Sequence, residues 1–102
     1  MADIKQARNG VIARILEGEG RAPEAQRRGA FDNTGLPEPL RTLVDKVARH
    51  AHRVTDGDVG AARSAGLTED QIFEIVVCAA IGQANRQYDS ACAALEAAMH
   101  EG

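Results

Sequence analysis

Leu67-Thr68-Glu69-Asp70-Gln71-Ile72 is the stretch whose reading decides the fold. Thr68 reads as a helix N-cap, Gln71 three residues on completes a capping box, and Leu67 and Ile72 flank the pair as a hydrophobic staple. A close variant of this code stands one short helix earlier, in Val54-Thr55-Asp56-Gly57-Asp58-Val59, with Asp58 in the role of Gln71. Gly66, just before the second start, suits the left-handed residue that ends a helix. Two starts in succession predict a short helix over 56–65 and a long one over 69–99, a span that no proline interrupts.

Working outward, Leu40, Leu43, Val44, Val47, Ala48 and Ala51 form an apolar stripe at helical spacing, which predicts a helix over 39–53. The segment 32–39, with Asn33-Thr34-Gly35 and then Pro37 and Pro39, reads as a turn or linker. Residues 23–31, of poor periodicity, read as a short helix with Pro23 at its first position and Glu24 in its first turn. Ile4, Ala7, Val11, Ile12, Ile15 and Leu16 make a further stripe, so a helix covers 3–17, with Asp3 as its cap and Gly18 and Gly20 at its end. Gly10 weakens that helix by roughly 1 kcal/mol. No segment alternates at the period of a strand. The expectation is an all-α, single-domain bundle of about five helices with one long C-terminal helix. Within it, 1–35 supply N-terminal helices and a linker, and 36–99 the core.

The chain has 102 residues, one domain's worth, and its apolar fraction of 44% is ordinary while its aromatic fraction is 3% and tryptophan is absent. An alanine-rich core fills little volume per side chain, so burying further surface against copies of the same chain is favourable. Ile72 to Ile81 is apolar nearly all round, with Glu74 the exception. A helix without a polar face is covered on all sides, and a partner subunit is the simplest cover. A homo-oligomer is therefore expected. Further along, Phe73, Val77, Ala80, Ala84, Tyr88, Ala91 and Leu95 share one face about 80° wide at roughly 100° per residue. Gly82 serves either close helix contact or a kink.

The formal net charge is −3, and the basic residues are scattered, with one short cluster at Arg27-Arg28. That argues against nucleic acid, where affinity rests on phosphate neutralisation. No apolar run reaches the roughly 18 residues that span a bilayer, so no membrane partner is expected. The N-terminus has no apolar core of a secretory signal. Two cysteines without framework spacing suit a reducing, cytoplasmic compartment.

Glu74 and Cys78 are neighbours on one helix surface, a carboxylate beside a thiol that can act as base in a cleft or pack as a boundary residue and a small hydrophobe. Cys78 and Cys92 stand about 21 Å apart along a continuous helix at roughly 1.5 Å per residue, too far for a disulfide. His50 and His52 point to nearly opposite sides of a helix and cannot chelate one metal. Either can serve as a lone acid/base group, with any orienting partner supplied by another helix or subunit. His100 lies in the C-terminal tail. Asn85, Arg86 and Tyr88, with Gln83, Gln87 and Asp89, can line a small polar pocket or form a hydrogen-bond network at a subunit boundary. There is no Gly-rich phosphate loop, HExxH or CxxC, so no cofactor and no metal is expected.

Residues 62–82, ARSAGLTEDQIFEIVVCAAIG, resemble the carboxymuconolactone decarboxylase/alkylhydroperoxidase D-like superfamily, in which a helix junction of this kind precedes a long alanine-rich helix. The resemblance extends over about 40–95 and implies an all-helical, oligomeric protein. Redox members carry Cys-x-x-Cys-x-x-x-His just upstream of the junction. Here Ala51, Val54 and Asp58 occupy those places, so the resemblance implies no thiol peroxidase. It leaves a binding or accessory role, or a decarboxylase-like enzyme acting by acid/base chemistry on a small carboxylated substrate. In the latter, His50, Glu74 and Cys78 would be the catalytic candidates and Asn85, Arg86 and Tyr88 the substrate-binding ones. An unrelated helical interaction module is the remaining reading.

Overall fold

A computed structural model describes the backbone of residues 2–101 and the side chains of residues 6–100. Five helices follow in order: α1 (Ala2–Glu17), α2 (Glu24–Asp32), α3 (Leu40–Arg49), α4 (Asp56–Ser64) and α5 (Glu69–Glu101), with one 3-10 turn at Ala51–Arg53. No strand occurs among the described residues. The expected cap at Asp3 and the Ile4 position of the α1 stripe lie outside the described side chains.

Both capping codes form. The Thr68 N–H donates to Gln71 Oε1 at 2.9 Å and the Gln71 N–H to Thr68 Oγ1 at 3.1 Å. The Thr55 N–H donates to Asp58 Oδ2 at 2.9 Å and the Asp58 N–H to Thr55 Oγ1 at 3.3 Å. Gly66 takes φ +101°, and the Leu67 N–H reaches back to Ala62 O at 3.3 Å. This is the wrapped C-terminal turn that favours glycine. Asn33 ends α2 in the same left-handed region, with the Thr34 N–H on Gly29 O at 3.0 Å.

Burial organises the bundle around the first half of α5. Its Ile72, Ile75, Cys78 and Ala79 are buried with Leu16 of α1, Ala30 of α2, Leu40, Leu43 and Val44 of α3 and Ala62 of α4. Gly82 is buried because the end of α2 lies on it. A Cβ built there would overlap the Phe31 carbonyl oxygen and sit 2.7 Å from its carbon. Close contact is thus the role of Gly82. Arg86, one turn on, donates from Nη1 to the same Phe31 oxygen and from Nη2 to Gln83 Oε1. A last-turn carbonyl of α2 is therefore capped from α5.

The helix predicted over 39–53 stops at Arg49, because His50 leaves the helical region at φ −146° and the 3-10 turn redirects the chain. The redirection brings Asp58 of α4 to Lys46 of α3, with Nζ 2.9 Å from Oδ2. Within the single chain one side of Ile72–Ile81 is buried, while Phe73 is 69% exposed and Ala80 is exposed too. At about 1.5 Å per residue α5 is roughly 50 Å long, and the molecule measures 54 × 29 × 20 Å. The C-terminal third of α5 therefore overhangs the bundle, with Leu95 62% and Met99 73% exposed. No helix among the described residues is long and apolar enough to cross a membrane.

Candidate functional site

The site begins where α1 ends. The chain between α1 and α2 makes a tight turn whose backbone needs partners, and two helices provide them. Arg27, on α2, is buried. Its Nε donates to Ala22 O at 3.1 Å, and its Nη1 to Ile15 O at 2.9 Å and Gly18 O at 2.8 Å. The guanidinium thus satisfies carbonyls at the C-terminal end of α1, where positive charge also complements the helix dipole. From the other side, Glu74 of α5 accepts the Arg21 N–H at 2.8 Å on Oε1 and the Ala22 N–H at 2.6 Å on Oε2. The Gln71 side-chain amide donates to Arg21 O at 3.0 Å. Gln71 therefore both caps α5 and holds the turn.

Between these two clamps lies a cleft of about 190 Å³ lined by Ile15, Gly20, Arg27, Phe73, Glu74, Val77 and Cys78, with Arg14 and Glu19 at its edge. Gly20 keeps it open. A Cβ there would lie 3.1 Å from Glu74 Oε1 and 3.4 Å from Arg27 Cζ. The Arg27 and Glu74 head groups thus face each other across a glycine and form no ion pair. Arg27 Nη2 has no acceptor among the described residues.

Electrostatics separates the two candidates on α5. Burial works to raise the Glu74 pKa, but the two backbone N–H bonds and the positive charges of Arg27 and Arg21 together hold it below the ordinary carboxylate value. Burial pushes the Cys78 thiol up, against the pull of Arg27, and Glu74 adds to the rise. At neutral pH Glu74 is an ionised acceptor and Cys78 a protonated, buried thiol. Cys92 is also a free cysteine.

The other predicted residues lie elsewhere. His50 lines a shallow recess with Asn33, Arg41, Thr42, Asp45, Lys46, Arg49 and Arg53, and neither it nor His52 borders the Glu74–Cys78 cleft. The two histidine rings, expected on opposite sides of a helix, meet edge to face with centroids 6.1 Å apart. The break after Arg49 is what brings them together. Arg86 is occupied at the end of α2. Asn85 and Tyr88 instead line an apolar groove of about 460 Å³ between α1 and α5, with Arg8, Val11, Ile12, Ile81 and Ala84. There Arg8 pairs with Asp89 at 3.0 Å, and its guanidinium lies 4.6 Å from the Tyr88 ring centroid. Arg8 Nε and Asn85 Oδ1 are buried there without a partner among the described residues. Among the described residues no cluster of three metal-ligating side chains occurs.

Sequence reading missed Arg27 and Gly20. The only signal for Arg27 is its charge at a position where a short helix must bury one face. Gly20 reads only as a helix terminator. Comparison of the chain with models of known families, with curated proteins and with solved structures returned no match.

Proposed function

We propose that this chain is a self-associating helical protein of carboxymuconolactone decarboxylase/alkylhydroperoxidase D-like build, without a redox dithiol, that binds a small carboxylate between α1, α2 and α5. The observation that carries the reading is the cleft of about 190 Å³ whose lining brings the Arg27 guanidinium and the Glu74 carboxylate to one end of an apolar wall. A ligand carboxylate takes the unused Nη2 donors of Arg27, a charge-assisted contact. A hydroxyl on the ligand can donate to Glu74, whose oxygens each accept one backbone N–H and retain a lone pair. A short hydrocarbon tail lies on Ile15, Phe73, Val77 and Cys78. The capped junction before a long alanine-rich helix supports the family likeness.

Acid/base decarboxylation needs a group that exchanges protons near neutrality beside the ligand. Glu74 is held ionised by its own chain, and none of His50, His52 and His100 lines the cleft. This favours binding over turnover. The test is calorimetric titration with straight-chain monocarboxylates from acetate to hexanoate and their 2-hydroxy derivatives. Saturable heat is expected for wild type. Gly20→Ala, whose Cβ would crowd Glu74 Oε1 and Arg27 Cζ on the wall of the cleft, should weaken binding at least tenfold while the far-UV circular dichroism stays the same. Equal binding by both proteins, or none by wild type, sinks the reading. A carboxylate consumed in the same mixture would restore the enzymatic alternative.

A further inference from the structure

The face of α5 that is left mostly open, half-covered at Val77 and overlain by Arg8 at Tyr88, has an order that its composition does not require. Phe73, Val77, Ala80, Ala84, Tyr88, Ala91 and Leu95 are symmetric in position about Ala84. Lay a second α5 antiparallel across this stripe with Ala84 on the two-fold axis. Ala84 then meets its own copy, Ala80 meets the partner's Tyr88, Val77 meets the partner's Ala91, and Phe73 meets the partner's Leu95. Small stands against large at Ala80 and Val77, two small residues meet at the axis, and the bulkiest pair, Phe73 with Leu95, meets at each end. Such self-complementarity is what an isologous two-fold interface demands.

Three further observations point to a second copy as the occupant. Phe73 is 69%, Tyr88 47%, Leu95 62%, Met99 73% and Val11, beside them on α1, 52% exposed. With the exposed alanines they offer roughly 700 Å² per chain, near the ~800 Å² per partner of a stable standard-size interface. The antiparallel helices also set opposite dipole ends together. In this register Asp70 and Glu74 face the partner's Ala98 and the partner's Ala94, so no like charges meet.

Phe73 and Val77 belong both to this stripe and to the Arg27–Glu74 cleft. We infer that two copies of the chain pair through antiparallel α5 helices about Ala84, and that the partner's Leu95 roofs the cleft at Phe73. The cleft inference rests on the carboxylate-binding reading above; the pairing does not. The roof removes the apolar tail of a ligand from water, so the dimer binds a longer monocarboxylate better than the separated chain does. It also sets an upper limit on tail length.

The experiment has two arms. In a Cys92→Ser background, Phe73→Cys and Leu95→Cys chains are mixed and oxidised. A disulfide-linked dimer is expected from the mixture and from neither variant alone, while Ala84→Cys should cross-link with itself. Ala93→Cys, on the opposite side of α5, should not. A parallel pairing would link Phe73→Cys to itself and overturn the register, as would absence of any cross-link. In the second arm, light scattering of Ala84→Glu should give 10.8 kDa, where wild type gives twice that mass. Ala84 is exposed in the single chain, so a charge there leaves folding intact, which circular dichroism checks. Pentanoate should bind the monomeric variant at least tenfold more weakly than wild type. Equal affinity in a monomer of unchanged helicity overturns the roof. Cysteine variants that cross-link as described, together with a wild type that binds no pentanoate, uphold the pairing and discard the carboxylate reading. A wild-type monomer at micromolar concentration discards the pairing.

Discussion

Replacing Gly82 with alanine puts one methyl group where α5 meets the end of α2. In an open helix that change stabilises by about 1 kcal/mol. Here the methyl would overlap the Phe31 carbonyl oxygen and lie 2.8 Å from the Phe31 Cα. The obstacle is backbone, which no rotamer change can move. Helix α2 must shift outward, at the ~1–3 kcal/mol typical of overpacking. The shift also strips Arg86 from the Phe31 carbonyl, a charged hydrogen bond worth about 1.5–3 kcal/mol. The net expectation is a loss of about 3 kcal/mol, a large part of the ~5–15 kcal/mol that holds a domain folded. It should lower the melting temperature by more than about 10 °C. Gly10→Ala is the matched control: its Cβ meets nothing within 4 Å, and it should stabilise by up to about 1 kcal/mol. Urea unfolding followed by circular dichroism measures both. A Gly82→Ala protein as stable as wild type would refute the close crossing of α2 and α5.

Other outcomes follow from the caps and the titrating groups. Thr68→Ala should cost about 1 kcal/mol in urea unfolding through the lost cap; an unchanged midpoint would place the start of α5 elsewhere. Glu74 has a folded pKa below its unfolded one, so its contribution is complete above the ordinary value of 4.5 and fades as pH falls below it. The acid limb of wild-type stability should therefore be steeper than that of Glu74→Gln, and parallel limbs would show that the carboxylate does not hold the Arg21–Ala22 turn. A thiol-reactive aromatic disulfide should label half-buried Cys92 first. Cys78, 1% exposed with its pKa raised by burial, should lag about 100-fold until urea is added. Peroxide consumption with dithiothreitol should be absent, and turnover lost in Cys78→Ser or Cys92→Ser would contradict this.

What the sequence makes legible is whatever is local. The Thr68–Gln71 box, the Thr55–Asp58 box and the Gly66 ending depend on residues within one turn, and each forms at the expected position. The α3 stripe is legible too, since Leu40, Leu43 and Val44 are all buried. Its end is not, because no glycine or proline marks His50, and the contact that accompanies the break, Lys46 to Asp58, joins different helices. Helix α2 is visible only as a short, irregular pattern, yet it carries the buried Arg27 and lies on Gly82. Its periodicity is poor because one of its inward residues is an arginine whose acceptors are carbonyls at the end of α1 and in the turn that follows. In the candidate site, Glu74 stands out by charge on an apolar helix. That its oxygens are already taken by amides some fifty residues earlier is a tertiary fact with no local trace.

The grip of α5 on the Arg21–Ala22 turn has a kinetic consequence. Amides in a surface turn normally exchange their hydrogens with solvent almost freely, because opening the turn costs little. Here the Arg21 and Ala22 amides are held by Glu74, and Gln71 holds the neighbouring Arg21 carbonyl, so they open only when the first turns of α5 let go. Their exchange rates should follow those of the α5 N-terminus, far along the chain, more closely than those of Glu19 and Gly20 beside them. The beginning and the second half of the polypeptide would then unlock as one cooperative unit, and the Arg27–Glu74 cleft would open and close with it.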